Sequence, residues 1–177
     1  FIAEWGMEQI VRDARISTLY EGTTGIQALD LLGRKVMMTQ GQSLKNFTKI
    51  IHIFCKEEAD NEELSMYTSK LSELIKEWGN LTTQIGMAAM KNRDEVGSAS
   101  VDYLMYSGYV TLAYMWATIA RVAQQKLAEG TTEEDFYKAK LVTARFYFTR
   151  ILPRTLTHAN TMLAGADTLM DLDADHF

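Results

Sequence analysis

What this sequence lacks narrows it before any motif is read. A single proline, Pro153, argues against a loop-rich or disordered chain. A single cysteine, Cys55, excludes an internal disulfide and fits a reducing, cytoplasmic setting. Basic blocks are missing and the net charge is −5, so nucleic acid is not an expected partner. The opening Phe1-Ile2-Ala3-Glu4-Trp5-Gly6 has no initiator methionine, no basic start and no long apolar core. It is not a signal peptide, and the chain reads as a piece that begins inside an element. The longest apolar region, Val101–Val122, is interrupted by Asp102, Ser107, Thr111 and Arg121. That is too broken for a membrane span, and it reads as a buried bundle helix. No period-two run bounded by turn residues exists, so there is no β signal.

What is present is helical. The 177 residues are 47% hydrophobic and 23% charged, enough for one sizeable core or two small ones. Met7–Arg15 reads as a helix with Ile10, Val11 and Ala14 on one side. A second helix is expected from about Thr23 to Met38, and Gln40-Gly41-Gln42-Ser43 breaks it. Ser43 would cap a third helix running from Leu44 to about Ala59, with Phe47, Ile50, Ile51 and Phe54 at helical spacing. A fourth runs from Glu63 to Met90, then a turn at Asn92–Ser98, then a long helix from about Ala99 to Leu127. Gly130 stops that helix. Thr131-Thr132-Glu133-Glu134 reads as a capping box for the last helix, which Pro153 ends or kinks. Arg154–Leu163 continues the helical pattern, and the acidic tail Asp167–Phe177 is expected to fray. Long amphipathic segments joined by short polar breaks predict an all-α, up-down helical bundle.

The stretch Arg12–Leu31 departs from this regularity. Helical character weakens at Ile16-Ser17-Thr18. Tyr20-Glu21-Gly22-Thr23-Thr24-Gly25 follows, and an apolar helical period resumes at Ile26. A carboxylate thus sits at a helix–loop–helix break beside two glycines and two threonines. A helix starting near Thr23 or Thr24 leaves backbone N–H groups unpartnered and favours negative charge there. On local pattern alone, Thr23 or Thr24 is a helix cap, Gly22 a turn residue and Glu21 a solvated loop carboxylate.

Arg12-Asp13-Ala14-Arg15-Ile16, then Tyr20-Glu21-Gly22-Thr23, then Ile26-Gln27 resembles the catalytic segment of flavin-dependent acyl-CoA dehydrogenases. Glu8-Gln9-Ile10-Val11 resembles the helix leading into it, and the likeness runs ungapped from about Glu4 to Arg34. The later chain resembles the additional C-terminal domain of the larger bacterial members, among them 3-methylmercaptopropionyl-CoA dehydrogenases. The resemblance implies two parts. Residues 1–40 would end the family's C-terminal helical domain, and residues 41–177 would form an added helical bundle.

It also implies a chemistry of fatty-acid metabolism. Glu21 matches the base that removes the α-proton of an acyl-CoA thioester. A hydride leaves the β-carbon for FAD, and a trans-2-enoyl-CoA results. Such a base works in a dry pocket, where desolvation raises its pKa. Gly22 matches a position against the substrate, and Thr23 and Thr24 match positions that contact FAD. Gly25 replaces a glutamine of some members and is given no flavin contact. Arg12 and Asp13 would pair at the helix end. The implied partners are an acyl-CoA, an electron-transfer flavoprotein or similar acceptor, and further copies of the chain in a homo-oligomer such as a homodimer. Most of the acyl-CoA site would lie outside these residues, so the chain alone is expected to bind FAD weakly or not at all.

Other candidates give less. His52 and Cys55 share a helix, but no second ligand pair follows, so no metal is expected. His158 stands alone and reads as structural. Asp171-Leu172-Asp173-Ala174-Asp175 opens like a calcium loop but has His176 where glycine is needed. Asn46-Phe47-Thr48 and Asn80-Leu81-Thr82 match the glycosylation triplet inside helices of a chain without a secretion signal. The stripe Tyr103, Tyr106, Tyr109, Tyr114, Met115 and Trp116 reads as core, or as the lining of a groove or subunit interface. A helical module that only holds a partner or a second copy is the alternative to an enzyme.

Overall fold

A computed structural model describes residues 3–176, and every regular element among them is helical. α1 spans Glu8–Ala14 and α2 Thr24–Leu29, the latter continuing into a π-helical stretch at Asp30–Met37. α3 spans Gln42–Glu57, α4 Ser65–Ala89 and α5 Asp94–Ala128. α6 spans Glu134–Phe146, α7 Thr155–Met162 and α8 Asp167–Met170. No helix of the described residues is long and apolar enough to cross a membrane. The tail expected to fray carries α8 and a 3₁₀ turn at Ala174–His176, and its last residue, Phe177, lies outside the described residues.

The all-α bundle is organised on α5, which packs against α2, α4, α6 and α7. One face of α5 buries Tyr103, Tyr106, Val110, Ala113, Ala117 and Ala120. Their spacing alternates three and four residues, which keeps one stripe of a helix on a neighbour. α4 answers with Leu71, Leu74, Trp78, Leu81 and Ile85 in the same alternation. The alanines let neighbouring backbones approach closely. The tyrosine hydroxyls are buried with partners, as burial of a polar tip requires. Tyr103 meets Thr82 Oγ1 at 2.8 Å, and Tyr106 donates toward Glu77 Oε2 at 2.7 Å. Burial and the Glu77 carboxylate both push the Tyr106 hydroxyl far above the usual tyrosine range.

Several boundaries differ from the sequence reading, each for a local reason. Gly41, at φ +77°, caps α3, and Ser43 lies inside its first turn. A left-handed residue reverses the chain more sharply than a serine cap would, and glycine takes that conformation freely. The Thr131 box is half made. Thr131 Oγ1 accepts the Glu133 N–H at 3.1 Å, whereas Glu134 pairs with Lys138 one turn on. α5 begins at Asp94 rather than Ala99, because Asn92 Oδ1 accepts the Asp94 N–H at 3.0 Å and starts the helix ahead of Gly97 and Ser98. After α6 the helix widens to a π-turn at Tyr147–Ile151 before Pro153. Proline's missing N–H and its clash with the preceding turn account for that widening.

Candidate functional site

The break holding Glu21 hangs from the bundle by α2 and its π-helical continuation. Ala28, Leu32 and Val36 are buried against the core. A β-carbon added at Gly33 would meet only Val96 Cγ1 of α5, at an ordinary contact distance of 4.0 Å. Upstream of Thr24 the picture reverses. Neither α1 nor the following 3₁₀ turn, Arg15–Thr18, buries a residue. Ile10 and Val11, expected to face a core, are 57% and 40% exposed, and Trp5, Leu19 and Tyr20 are more exposed still. An arm with so many uncovered apolar side chains is built to be covered.

Local hydrogen bonds explain why the helix fails here. Ser17 Oγ and Thr18 Oγ1 donate back to the Ala14 and Arg15 carbonyls at 2.6 and 2.8 Å, competing with the helical ladder. Arg12 and Asp13 do not pair with each other. Gln9 stands between them, accepting from Arg12 Nη2 and donating to Asp13 Oδ1, each at 2.7 Å.

Glu21 is exposed, and its carboxylate caps α2. Oε1 accepts the Thr24 N–H at 2.6 Å. The Thr24 side chain and then its backbone N–H hold the Glu21 carboxyl below the usual carboxylate range. Neither threonine hydroxyl caps the helix. The cap expected of Thr23 or Thr24 is therefore made by the Glu21 carboxylate, which precedes Gly22. Thr23 instead carries the bend, at φ +56°. A β-branched residue there is strained, and such strain concentrates at functional positions.

The structure thus brings Glu21, Gly22, Thr23 and Thr24 together within one exposed turn. A β-carbon added at Gly22 or Gly25 would meet no atom within 4 Å, so the backbone is open to a ligand. The turn offers two threonine hydroxyls beside an uncrowded backbone. No group of three or more His, Cys, Asp or Glu among the described residues could hold a metal ion. Cys55 is buried, and burial pushes its thiol up, while His52 on the same helix is exposed.

His158 is not solitary. Its Nδ1 lies 2.7 Å from Asp102 Oδ1, and its ring stacks on Tyr109 at 5.6 Å. No spacing rule would have paired residues 56 positions apart. The expected aromatic core holds for Tyr103 and Tyr106, while Met115 is 45% exposed.

A helical bundle with a carboxylate-bearing break at its edge is the class of module this geometry defines. The family model described as acetyl-CoA dehydrogenase C-terminal like matches residues 47–173, and the chain belongs to that family. The broad-specificity linear acyl-CoA dehydrogenase FadE5 of Mycobacterium tuberculosis is 31% identical over all of this chain and 30% of its own length. The 3-methylmercaptopropionyl-CoA dehydrogenase of Ruegeria pomeroyi is 30% identical over 96% of this chain and 29% of its own. A butyryl-CoA dehydrogenase of Syntrophomonas wolfei is 29% identical over the whole chain. The chain spans about three tenths of the length of these relatives. Glu21 lies upstream of the span that the family model matches, within the span that FadE5 covers.

Proposed function

We propose that this chain supplies the α-proton base, Glu21, to an acyl-CoA dehydrogenase that oxidises an acyl-CoA thioester to the trans-2-enoyl-CoA. The observation that carries the reading is Glu21 itself, a carboxylate held in an open turn by the Thr24 N–H on an arm of uncovered apolar side chains. In the proposed division, residues 1–40 carry the catalytic break and residues 41–177 the added bundle. Gly22 leaves room for the thioester, and Thr23 and Thr24 meet the edge of FAD. FAD held there would supply the acceptor for the β-hydride. The acceptor beyond it is an electron-transfer flavoprotein or similar carrier, in a cytoplasmic homo-oligomer serving fatty-acid metabolism.

The chain's own residues set a requirement. A base must have its pKa brought toward that of the α-proton it removes, which desolvation achieves. Capped on α2 and exposed, Glu21 is shifted the opposite way. Closure of the substrate and the rest of the enzyme over Tyr20–Thr24 would dry the carboxylate and turn it from cap to base. The isolated chain therefore turns over no substrate.

The test is flavin bleaching in the intact enzyme with acyl-CoAs of graded length, for wild type and Glu21→Gln. Bleaching in wild type, lost in the variant with FAD retained, supports the assignment and ranks the substrates. Equal bleaching in both would move the base elsewhere. A non-catalytic helical module for partner binding is favoured by one observation: the core from Leu32 to Met162 closes without any contribution from Tyr20–Thr24.

A further inference from the structure

The outer face of α5 is bare at Val101, Met105, Leu112, Met115, Ile119 and Val122, so Val101–Val122 is not a wholly buried helix. A second surface differs in kind, because its unfinished groups are polar. A cleft of about 490 Å³ opens between the start of α4, the end of α5 and one face of α6. That volume falls within the ~300–1,000 Å³ of small-molecule sites. α6 lines it with Lys138, Leu141, Val142 and Arg145, the i, i+3, i+4, i+7 stripe of one helix face. Tyr67 of α4 and Gln124 of α5 complete the lining, with the exposed Glu63 of the 3₁₀ turn ahead of α4. Tyr67 is 5% exposed, and its ring packs edge-on against Phe148 at 4.8 Å. A tyrosine buried that far normally gives its hydroxyl a partner, as Tyr103, Tyr106 and Tyr147 do here. The Tyr67 hydroxyl makes no hydrogen bond among the described residues, and it is not sealed from the cleft. Burial pushes that hydroxyl up, and the charge of Arg145 pulls against the shift. Arg145 itself makes no ion pair among the described residues.

We propose that this cleft binds the carboxylate of a small organic acid. Arg145 supplies the planar, two-pronged donor that matches a carboxylate, and the Tyr67 hydroxyl and the Gln124 amide donate beside it. Leu141 and Val142 cover the aliphatic body. Charge favours a carboxylate over a phosphate. Glu134 already pairs with Lys138, and Glu63 opposes Arg145, so no surplus of positive charge awaits a dianion. Glu63 repels a dianion twice as strongly as a monoanion. The rim favours a small ligand over another stretch of protein. Glu63 and Lys138 are residue types that protein interfaces avoid, and Val142 is the one large apolar side chain of the lining that is strongly exposed. None of the lining residues belongs to the Tyr20–Thr24 turn, so the site stands whether or not Glu21 is the base.

The test reads the cleft itself in the intact protein. Val142→Cys, at a position 56% exposed, puts a thiol in the wall, and peptide mass spectrometry follows its alkylation by neutral iodoacetamide. The native Cys55 is buried and adds little background. Hexanoate should slow the reaction in a saturable way. Acetate should need a higher concentration, because it lacks the body that Leu141 and Val142 cover, and inorganic phosphate should protect least. Arg145→Gln should raise the half-protecting hexanoate concentration about tenfold or more, the worth of one charge-assisted hydrogen bond. Tyr67→Phe keeps the packing on Phe148 and should raise it roughly twofold to tenfold. Glu63→Gln should lower it. Leu156→Cys, exposed on α7, should react at a rate indifferent to hexanoate. Protection that survives Arg145→Gln, or phosphate that protects as well as hexanoate, would overturn the proposal. Val142→Cys that resists iodoacetamide in the native protein but reacts after unfolding would overturn it too, by showing that protein fills the cleft.

Discussion

Trp78→Phe sets two effects of similar size against each other. Trp78 is 4% exposed, at the meeting of α3, α4 and α5, with Phe47 and Tyr106 packed on it edge-on at 6.1 Å. Its indole N–H is buried without a hydrogen-bond partner. The Tyr103 hydroxyl lies on that side and donates to Thr82 Oγ1 at 2.8 Å, since the Thr82 proton goes to the Trp78 carbonyl; its oxygen keeps acceptor capacity, but the indole N–H is out of hydrogen-bond geometry with it. Phenylalanine removes roughly 40 Å³, which costs about 1 kcal/mol as cavity. The lost apolar burial costs about 1 kcal/mol more. Deleting an unpaired buried N–H returns roughly 1–3 kcal/mol. The net change should lie within about 1 kcal/mol of wild type, whereas Trp78→Ala should cost about 3–5 kcal/mol. Urea unfolding followed by far-ultraviolet circular dichroism gives both, with the slope unchanged. The decisive comparison is the cycle of Trp78→Phe with Tyr103→Phe. An unpaired N–H predicts coupling below about 0.5 kcal/mol, and a real indole–tyrosine hydrogen bond predicts about 1 kcal/mol or more. Loss of more than about 3 kcal/mol in Trp78→Phe, with that coupling, would refute the reasoning.

Ile51→Ala, at a position with no exposure, should cost about 2–5 kcal/mol in the same assay, because α3 is held by few such anchors. Burial pushes the Tyr147 hydroxyl up to about 12, and it donates to the Tyr109 carbonyl at 3.0 Å. A raised folded-state pKa stabilises fully below the unfolded value near 10, and the benefit is lost as pH climbs toward 12. Melting temperature should therefore fall across that window, and Tyr147→Phe should flatten the fall. Purified alone, the chain should retain no stoichiometric FAD. A flavin absorbance spectrum with FAD bound one to one would show that more of the site is present than the turn at Tyr20–Thr24.

The bundle was legible because each core stripe is a local periodicity. Leu71, Leu74 and Trp78, or Tyr103 and Tyr106, declare a helix face within a few residues. Their hydroxyl partners were not legible. Thr82 and Glu77 lie 21 and 29 positions from the tyrosines they meet, and only the fold brings them close. α3 and α5 start ahead of their expected positions, where a left-handed glycine and an asparagine turn the chain, whereas α2 starts where expected and only its cap differs. At the break, the residues were visible but not their arrangement. The strain sits on Thr23, not on a neighbouring glycine, and the cap is Glu21. Most opaque was α5. Composition said that Val101–Val122 must be buried, but one periodicity cannot say whether both faces are covered by the same chain.

The two unfinished surfaces have a common logic. α2 is anchored by Ala28, Leu32 and Val36 on the same long helix whose outer face is bare. The start of that bare face and the α2 anchor meet, since Leu29 and Val101 line one depression together with Leu169 and Met170 of the tail. The buried Ala28, Leu32 and Val36 fix how α2 and its π-helical continuation meet α5. Through Ala28, Leu32 and Val36 the bundle holds the element from which the Tyr20–Thr24 turn projects.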